Sequence, residues 1–385
     1  MIDTAITWLE ENLEGDGFRS SIKRFYLDFE HLLYKLGNYK KLEEKPPILL
    51  EVSVTDLCNA RCIFCAYQFT KPKGVVLDVD TYRKAVQEYA DIGGRYVYHS
   101  ALTGDALLDP TIFQKLLIAS SDPRLHLTLF TNAVLLGENV EKLLDSGVNT
   151  VCISTSDFSM QSFERIYRVR KYYQVLEGIE KLIKENERRG GKVDIFLFLR
   201  TNKARGDVFS APDFRDRIHP LFDGHFTPNH VFVFRAFDSW CGQIRKENLL
   251  EGMHMRVNPH FRLMPCEKTF HLGVLPNGDV RACHARFTSK GPHDELVIGN
   301  IKETSLKDIW WGPKIREIRR RFERGNLPTP CRKCNEYWFA SLDDGDVNIF
   351  DRIRVKYFWR KGHAKGPAWC SLQRGKLQPR QGKNS

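Results

Sequence analysis

Three cysteines fall within eight residues, Cys58-Asn-Ala-Arg-Cys62-Ile-Phe-Cys65, in the spacing C-x₃-C-x₂-C. The segment ahead of them, Pro47 to Val54, is apolar and rich in β-branched residues. That pattern predicts a strand, so the cysteines lie in the loop that follows it. Three thiolates from one loop can hold three corners of an iron–sulfur cube. The fourth iron is then left without a protein ligand, which suits catalysis better than structural support. The alternative is a zinc knuckle that draws its fourth ligand from elsewhere in the chain.

Composition narrows the class. The chain has 385 residues, of which 42% are hydrophobic. This is enough for one large domain and a smaller one. No run approaches the ~20 apolar residues of a membrane helix. The acidic N-terminus lacks the basic flank and apolar core of a signal peptide. A cytoplasmic protein is expected, and its ten cysteines then argue for metal ligation rather than disulfides. The net charge is +11, and Arg352 to Lys383 contributes ten Lys/Arg and no Asp/Glu. A second basic cluster runs from Lys314 to Arg324. Both read as solvated features, with phosphate or nucleic-acid binding as the alternative.

The cysteine loop behind a first strand, with Phe64 beside the last cysteine, resembles the radical S-adenosylmethionine (radical SAM) enzymes. The resemblance implies a 4Fe–4S cluster on Cys58, Cys62 and Cys65, with S-adenosylmethionine chelated to its free iron. Reductive cleavage of the sulfonium then gives a 5′-deoxyadenosyl radical that abstracts hydrogen from substrate.

Residues 1–46 read as helices, a predicted N-terminal helical extension. From 47 to 237 strand and helix patterns alternate. Strands are expected at 48–54, 96–101, 125–131, 150–155, 193–201 and 230–236. Helices are expected near 80–91, 110–120, 138–146, 162–189 and 211–223. Such alternation implies right-handed parallel units. Six units in about 190 residues fall short of the ~250 of a closed eight-fold barrel. The predicted fold is α/β: a partial (β/α)₆ TIM-like barrel, chemistry at the C-terminal strand ends, followed by a small C-terminal α+β domain over 238–340 and a basic tail over 341–385.

Several strand ends match family positions. Leu102-Thr-Gly104-Asp105 resembles the family's Gly-Gly-Glu-Pro loop, although Thr103 and Ala106 depart from it. Thr131-Asn132-Ala133 is similar to Thr-Asn-Gly. Ser154 ends strand four and Arg200 ends strand five. The resemblance implies cofactor contacts for Phe64, Gly104, Asp105, Ser154 and Arg200.

Cys266 and Cys283 are separated by sixteen residues, and Leu275-Pro-Asn-Gly278-Asp between them reads as a hairpin turn. Cys331-Arg-Lys-Cys334 adds a C-x₂-C pair. On spacing alone this set suits zinc as well as a cluster. The hairpin, Ile298-Gly-Asn-Ile301 and Leu306-Lys-Asp-Ile-Trp310 together resemble the SPASM extension of radical SAM enzymes, or its shortened twitch form. The resemblance implies one auxiliary 4Fe–4S cluster on Cys266, Cys283, Cys331 and Cys334. Cys152 is expected in the core. Cys241 follows strand six; it reads either as a small buried residue or as a hydrogen-atom donor, with Asp238 as a base.

The expected activity is that of a radical SAM epimerase or dehydrogenase acting on a carbohydrate-type small molecule. A flavodoxin- or ferredoxin-type reductant is expected, without membrane or nucleic-acid partners. The alternatives are a peptide-modifying maturase, an RNA-modifying enzyme using the basic tail, and a zinc-binding scaffold.

Overall fold

The computed structural model describes residues 42–99, 104–222, 230–258, 260, 262–283 and 294–337. The helices expected before residue 42 and the basic tail lie outside the described residues.

Six strands stand close to their expected places: β1 (Leu50–Val52), β2 (Tyr96–His99), β3 (His126–Thr131), β4 (Thr150–Thr155), β5 (Asp194–Arg200) and β6 (Val231–Phe234). Each pairs parallel with the next. The helices between them are α1 (Val79–Asp91), α2 (Ile112–Ser120), α3 (Leu136–Asp145), α4 (Met160–Tyr167), α5 (Tyr172–Arg188) and α6 (Arg205–Ser210). Successive side chains on a strand face opposite ways. Leu127, Leu129, Val151, Ile153, Leu197 and Leu199 accordingly join the main core with the helices. Their alternates Cys152, Phe196 and Phe198 form a separate cluster with Phe130, Phe232 and Phe234. That second cluster lines the face of the sheet turned away from the helices.

Helices α3 and α5 touch backbone to backbone. A Cβ added at Gly178 would lie 2.9 Å from the amide nitrogen of Gly137. Only glycine permits this approach.

Two expected helices differ. The single helix expected over 162–189 is broken between α4 and α5, where Arg168 takes the left-handed conformation with φ 55°. The carbonyls of Ile166 and Tyr167 turn outward to accept from Ile63 N (2.9 Å) and Arg61 N (3.1 Å) of the cysteine loop. Those amides satisfy the helix end from outside. The segment expected as a helix over 211–223 is a π-helical turn, Phe214–Ile218, and a 3₁₀ turn, His219–Phe222. Pro220 has no amide hydrogen with which to continue an α-helix.

The C-terminal unit holds β7 (Ala236–Phe237), β8 (His254–Met255), β9 (Leu272–Val274), β10 (Asp279–Arg281), β11 (Val297–Asn300), α7 (Leu306–Trp310), α8 (Pro313–Glu323) and α9 (Thr329–Arg332). The expected turn joins β9 to β10, and Gly278 takes φ 91° there. β9 lies parallel to β1, which gives one nine-stranded sheet in the order β11-β10-β9-β1-β2-β3-β4-β5-β6. The basic segment 314–324 is α8, and its central Arg319 is buried rather than solvated. Its guanidinium lies 4.5 Å from the ring centroids of both Phe270 and Trp310 and donates to the carbonyl of Thr269. Burial lowers its pKa to about 10. Helix α8 thereby clamps the segment just after Cys266.

Candidate active site and second cysteine cluster

The cysteine loop leaves the C-terminal end of β1 and is tied at its base. The Asp56 carboxylate accepts from Lys73 N and Val75 N, both at 2.8 Å. Within the loop the Tyr67 hydroxyl meets Cys58 twice, accepting from its amide at 3.0 Å and donating to its carbonyl at 3.2 Å. Gln68 Nε2 donates to the carbonyls of Ile63 and Cys65. The sulfurs themselves receive donors: Tyr67 N lies 3.4 Å from Cys65 Sγ and Asn132 Nδ2 lies 3.7 Å from Cys58 Sγ. N–H groups aimed at sulfur suit thiolates that carry charge on a cluster. Burial pushes the Cys58 thiol up to about 12, with the Asp105 charge adding to it. Burial also raises Cys62, while the Arg200 charge opposes part of that rise. Occupation by a cluster therefore releases protons from this loop.

The residues singled out by sequence gather around this loop, with varied partners. Phe64 stacks on Phe237 at 5.2 Å and meets Tyr167 edge-on at 5.7 Å. The Arg200 guanidinium sits over the rings of Phe234 (4.4 Å) and Phe64 (5.9 Å). Ser154 Oγ is 3.1 Å from the Tyr167 hydroxyl. Gly104 adjoins Asp105, whose amide donates to the carbonyl of Leu57 at 2.7 Å, next to Cys58. The Asp105 carboxylate faces inward. It accepts from Leu107 N, Thr131 Oγ1 and Asn132 N, and so fastens the loop after β2 to the end of β3. Burial lifts its carboxyl above the ordinary range, and these donors oppose the rise. Tyr67, Gln68 and Tyr167 were not anticipated, and Asn132 was singled out only as part of Thr131-Asn132-Ala133, without a role.

The second set also comes together. Cys331 has Cys283, Cys334 and Cys266 as close electrostatic neighbours. Cys334 Sγ accepts from Glu336 N at 3.3 Å. Cys241 joins this group: its thiol pairs with that of Cys334, with Cys283 and Cys331 nearby. The Asp238 carboxylate accepts from Trp240 N at 2.9 Å. Cys152 is fully buried, as expected. Among the described residues, no three His, Cys, Asp or Glu side chains converge on a point that one metal ion would fill.

Comparison with known proteins agrees with this division. The model of the radical SAM superfamily matches residues 52–207. The model of the SPASM iron–sulfur cluster-binding domain matches residues 266–335. Among curated proteins, the GTP 3′,8-cyclase of Actinobacillus succinogenes is 28% identical over 170 residues, 42% of this chain and 48% of that protein. The enzyme of the same name from Desulforamulus reducens is 31% identical over 144 residues, 35% of this chain and 42% of its own. The chain thus spans less than half the length of these curated relatives. Among solved structures, Streptococcus suis SuiB bound to precursor peptide SuiA aligns with a TM-score of 0.55 at 15% identity, covering 77% of this chain and 72% of that one. SuiB bound to S-adenosylmethionine aligns with a TM-score of 0.51, covering 73% and 67%. These two similarities are of fold. Among the described residues no helix is long and apolar enough to cross a membrane.

Proposed function

This chain belongs to the radical SAM superfamily and carries a SPASM-type iron–sulfur domain behind its barrel, and from that premise we propose that it abstracts hydrogen from a peptide. Cys58, Cys62 and Cys65 would hold the catalytic cluster, and Cys266, Cys283, Cys331 and Cys334 the auxiliary one. The catalytic cluster these residues would hold would supply an electron for reductive cleavage of S-adenosylmethionine, the chemistry on which hydrogen abstraction from substrate would depend. The chain's own part is to fix the loop through Tyr67 and Gln68, to hold Phe64 and Arg200 over the strand ends, and to exclude water with buried aromatic rings.

One observation carries the substrate class. The sheet face away from the helices presents Phe130, Phe196, Phe198, Phe232 and Phe234, with Tyr98 against Phe130 at 5.3 Å. A polyol hydroxyl set against these rings, away from Ser154 and Arg200 at the strand ends of the same face, would lack a partner at a cost of roughly 1–3 kcal/mol. An aromatic or aliphatic peptide side chain would match the rings. This favours the peptide alternative over a carbohydrate-type substrate. The fold similarity to peptide-bound SuiB, which covers 77% of this chain, supports the same reading. A nucleotide is the second reading. A base would also stack on these rings, and the curated relatives are named for GTP.

Exposed Arg61, Lys71, Lys73, Arg165, Arg168 and Arg170 surround the cysteine loop. Their charge suits an acidic electron carrier of the flavodoxin or ferredoxin kind.

The test is 5′-deoxyadenosine formation by anaerobically reconstituted protein with dithionite. Peptide pools, nucleoside triphosphates and nucleotide sugars are supplied in parallel. Stimulation of about tenfold or more by peptide alone is the expected result. Stimulation confined to nucleotide sugars overturns the peptide reading.

A further inference from the structure

The second cysteine group is drawn from stretches far apart in the chain. Cys266 and Cys283 flank the hairpin of β9 and β10, whereas Cys331 lies in α9 and Cys334 just beyond it. Side chains and carbonyls of the segment leading to Cys266 fasten the two stretches together. The Arg256 guanidinium pairs with the Glu336 carboxylate, and the Arg256 carbonyl accepts from Asn335 Nδ2 at 2.9 Å. Asn258 Nδ2 donates to the carbonyl of Cys334 at 2.5 Å. The Tyr337 hydroxyl donates to the carbonyl of Met264 at 2.9 Å.

Arg262 makes the densest of these contacts. Its Nη1 donates to the carbonyls of Cys331 at 2.6 Å and Cys334 at 3.2 Å. Its Nη2 donates to the carbonyl of Arg332 at 3.1 Å. One planar guanidinium thus spans the C-x₂-C turn, and all three bonds go to its backbone. A rigid fork of charged donors is suited to such a span, and a flexible ammonium is not. The Cys331 carbonyl also accepts from Cys334 N at 3.3 Å, which closes the turn between the two ligands. Arg262 itself stands four residues ahead of Cys266, so it ties that cysteine's segment to the other pair. Glu336 N, aimed at Cys334 Sγ at 3.3 Å, suits a sulfur that carries charge on iron.

We propose that Arg262 is a positioning residue of the auxiliary cluster: it sets Cys331 and Cys334 against Cys266 before a cluster is bound, and so governs how tightly the second site retains iron. Ligands held in place by their surroundings bind more tightly than ligands that must first be ordered. The inference rests on the reading above that this site holds a cluster.

The experiment uses the full chain carrying Cys58→Ala, Cys62→Ala and Cys65→Ala, reconstituted anaerobically, so that only the second site loads. Arg262 is compared with Arg262→Met and Arg262→Lys. Iron per chain, the rate of iron release to ferrozine, and the urea midpoints of loaded and unloaded protein are measured. About four irons, one cubane, are expected with Arg262 intact. Iron should leave Arg262→Met about tenfold faster, the scale on which loss of an outer-shell partner weakens a metal site. Arg262→Lys keeps the charge but not the fork, and its rate should fall between. The rise in midpoint on loading should shrink in the same order. A merely structural role would lower both midpoints alike and leave the release rate unmoved, and that result overturns the proposal. If Arg262→Met does not fold, Arg262→Lys against Arg262 decides the question by the same readouts. Zinc or no iron with Arg262 intact overturns the cluster reading itself, and the inference falls with it.

Discussion

The indole nitrogen of Trp240 donates to the backbone carbonyl of Phe64 at 2.9 Å across 176 residues of chain. Trp240→Phe keeps most of the ring and removes the donor. Its expected cost is about 1 kcal/mol of stability. The catalytic loop should loosen while its cysteines remain. Iron content should therefore hold while 5′-deoxyadenosine formation falls several-fold. Equal activity in variant and wild type would show that the loop is positioned without this bond.

Asp105 tests how the loop after β2 is used. Its oxygens accept from Thr131 Oγ1 and from two backbone amides. Asp105→Asn turns one acceptor into a donor facing those groups. A loss of roughly 1–3 kcal/mol is expected from the unsatisfied buried amides. The midpoint of urea unfolding should show it. If Asp105 instead contacts the cofactor, affinity for S-adenosylmethionine will fall while the midpoint stays.

His99 should make stability depend on pH. Its Nδ1 faces the carbonyl of Thr128 at 3.3 Å and therefore carries the hydrogen. Its Nε2 then accepts from the Tyr82 hydroxyl at 2.6 Å. Burial lowers its pKa from 6.5 to about 4, with the Lys115 charge adding to the effect. Between those values the unfolded chain holds a proton that the folded chain refuses. Stability thus rises with pH across the window, is complete above it, and falls by about 3 kcal/mol toward its lower end. Denaturation of wild type and His99→Gln between pH 4 and 7 should differ in slope, with the variant flatter.

The contact of Gly178 with Gly137 predicts that a single methyl is harmful. Gly178→Ala gains about 1 kcal/mol in helix propensity but forces α3 and α5 apart, at a cost of about 1–3 kcal/mol. A lower melting temperature is expected. A higher one would mean that the helices slide without penalty.

How much of this was legible follows from how far apart the cooperating residues lie. The strands were readable because each is a β-branched or aromatic run bounded by turn residues, and the hairpin because Pro276-Asn277-Gly278 spells its own turn. The cysteine groups stood out because C-x₃-C-x₂-C and C-x₂-C are short, local spacings. The break at Arg168 was not, since it depends on amides of the cysteine loop a hundred residues earlier. Arg319 read as a surface charge because nothing local announces the rings of Phe270 and Trp310. Cys241 was placed at the right strand end, but its neighbours come from a segment ninety residues on.

The parallel pairing of β9 with β1 also bears on whether the two halves of this protein can be separated. β1 is flanked on both sides, by β2 and by β9. A shortened chain ending before β9 would leave β1 as a bare edge with its amides and carbonyls open to any passing strand. The strand that launches the catalytic loop would then become a site of self-association. The smaller unit is therefore a structural partner of the barrel as well as a seat for cysteines, and shuffling it onto or off a barrel would require a new solution for that edge.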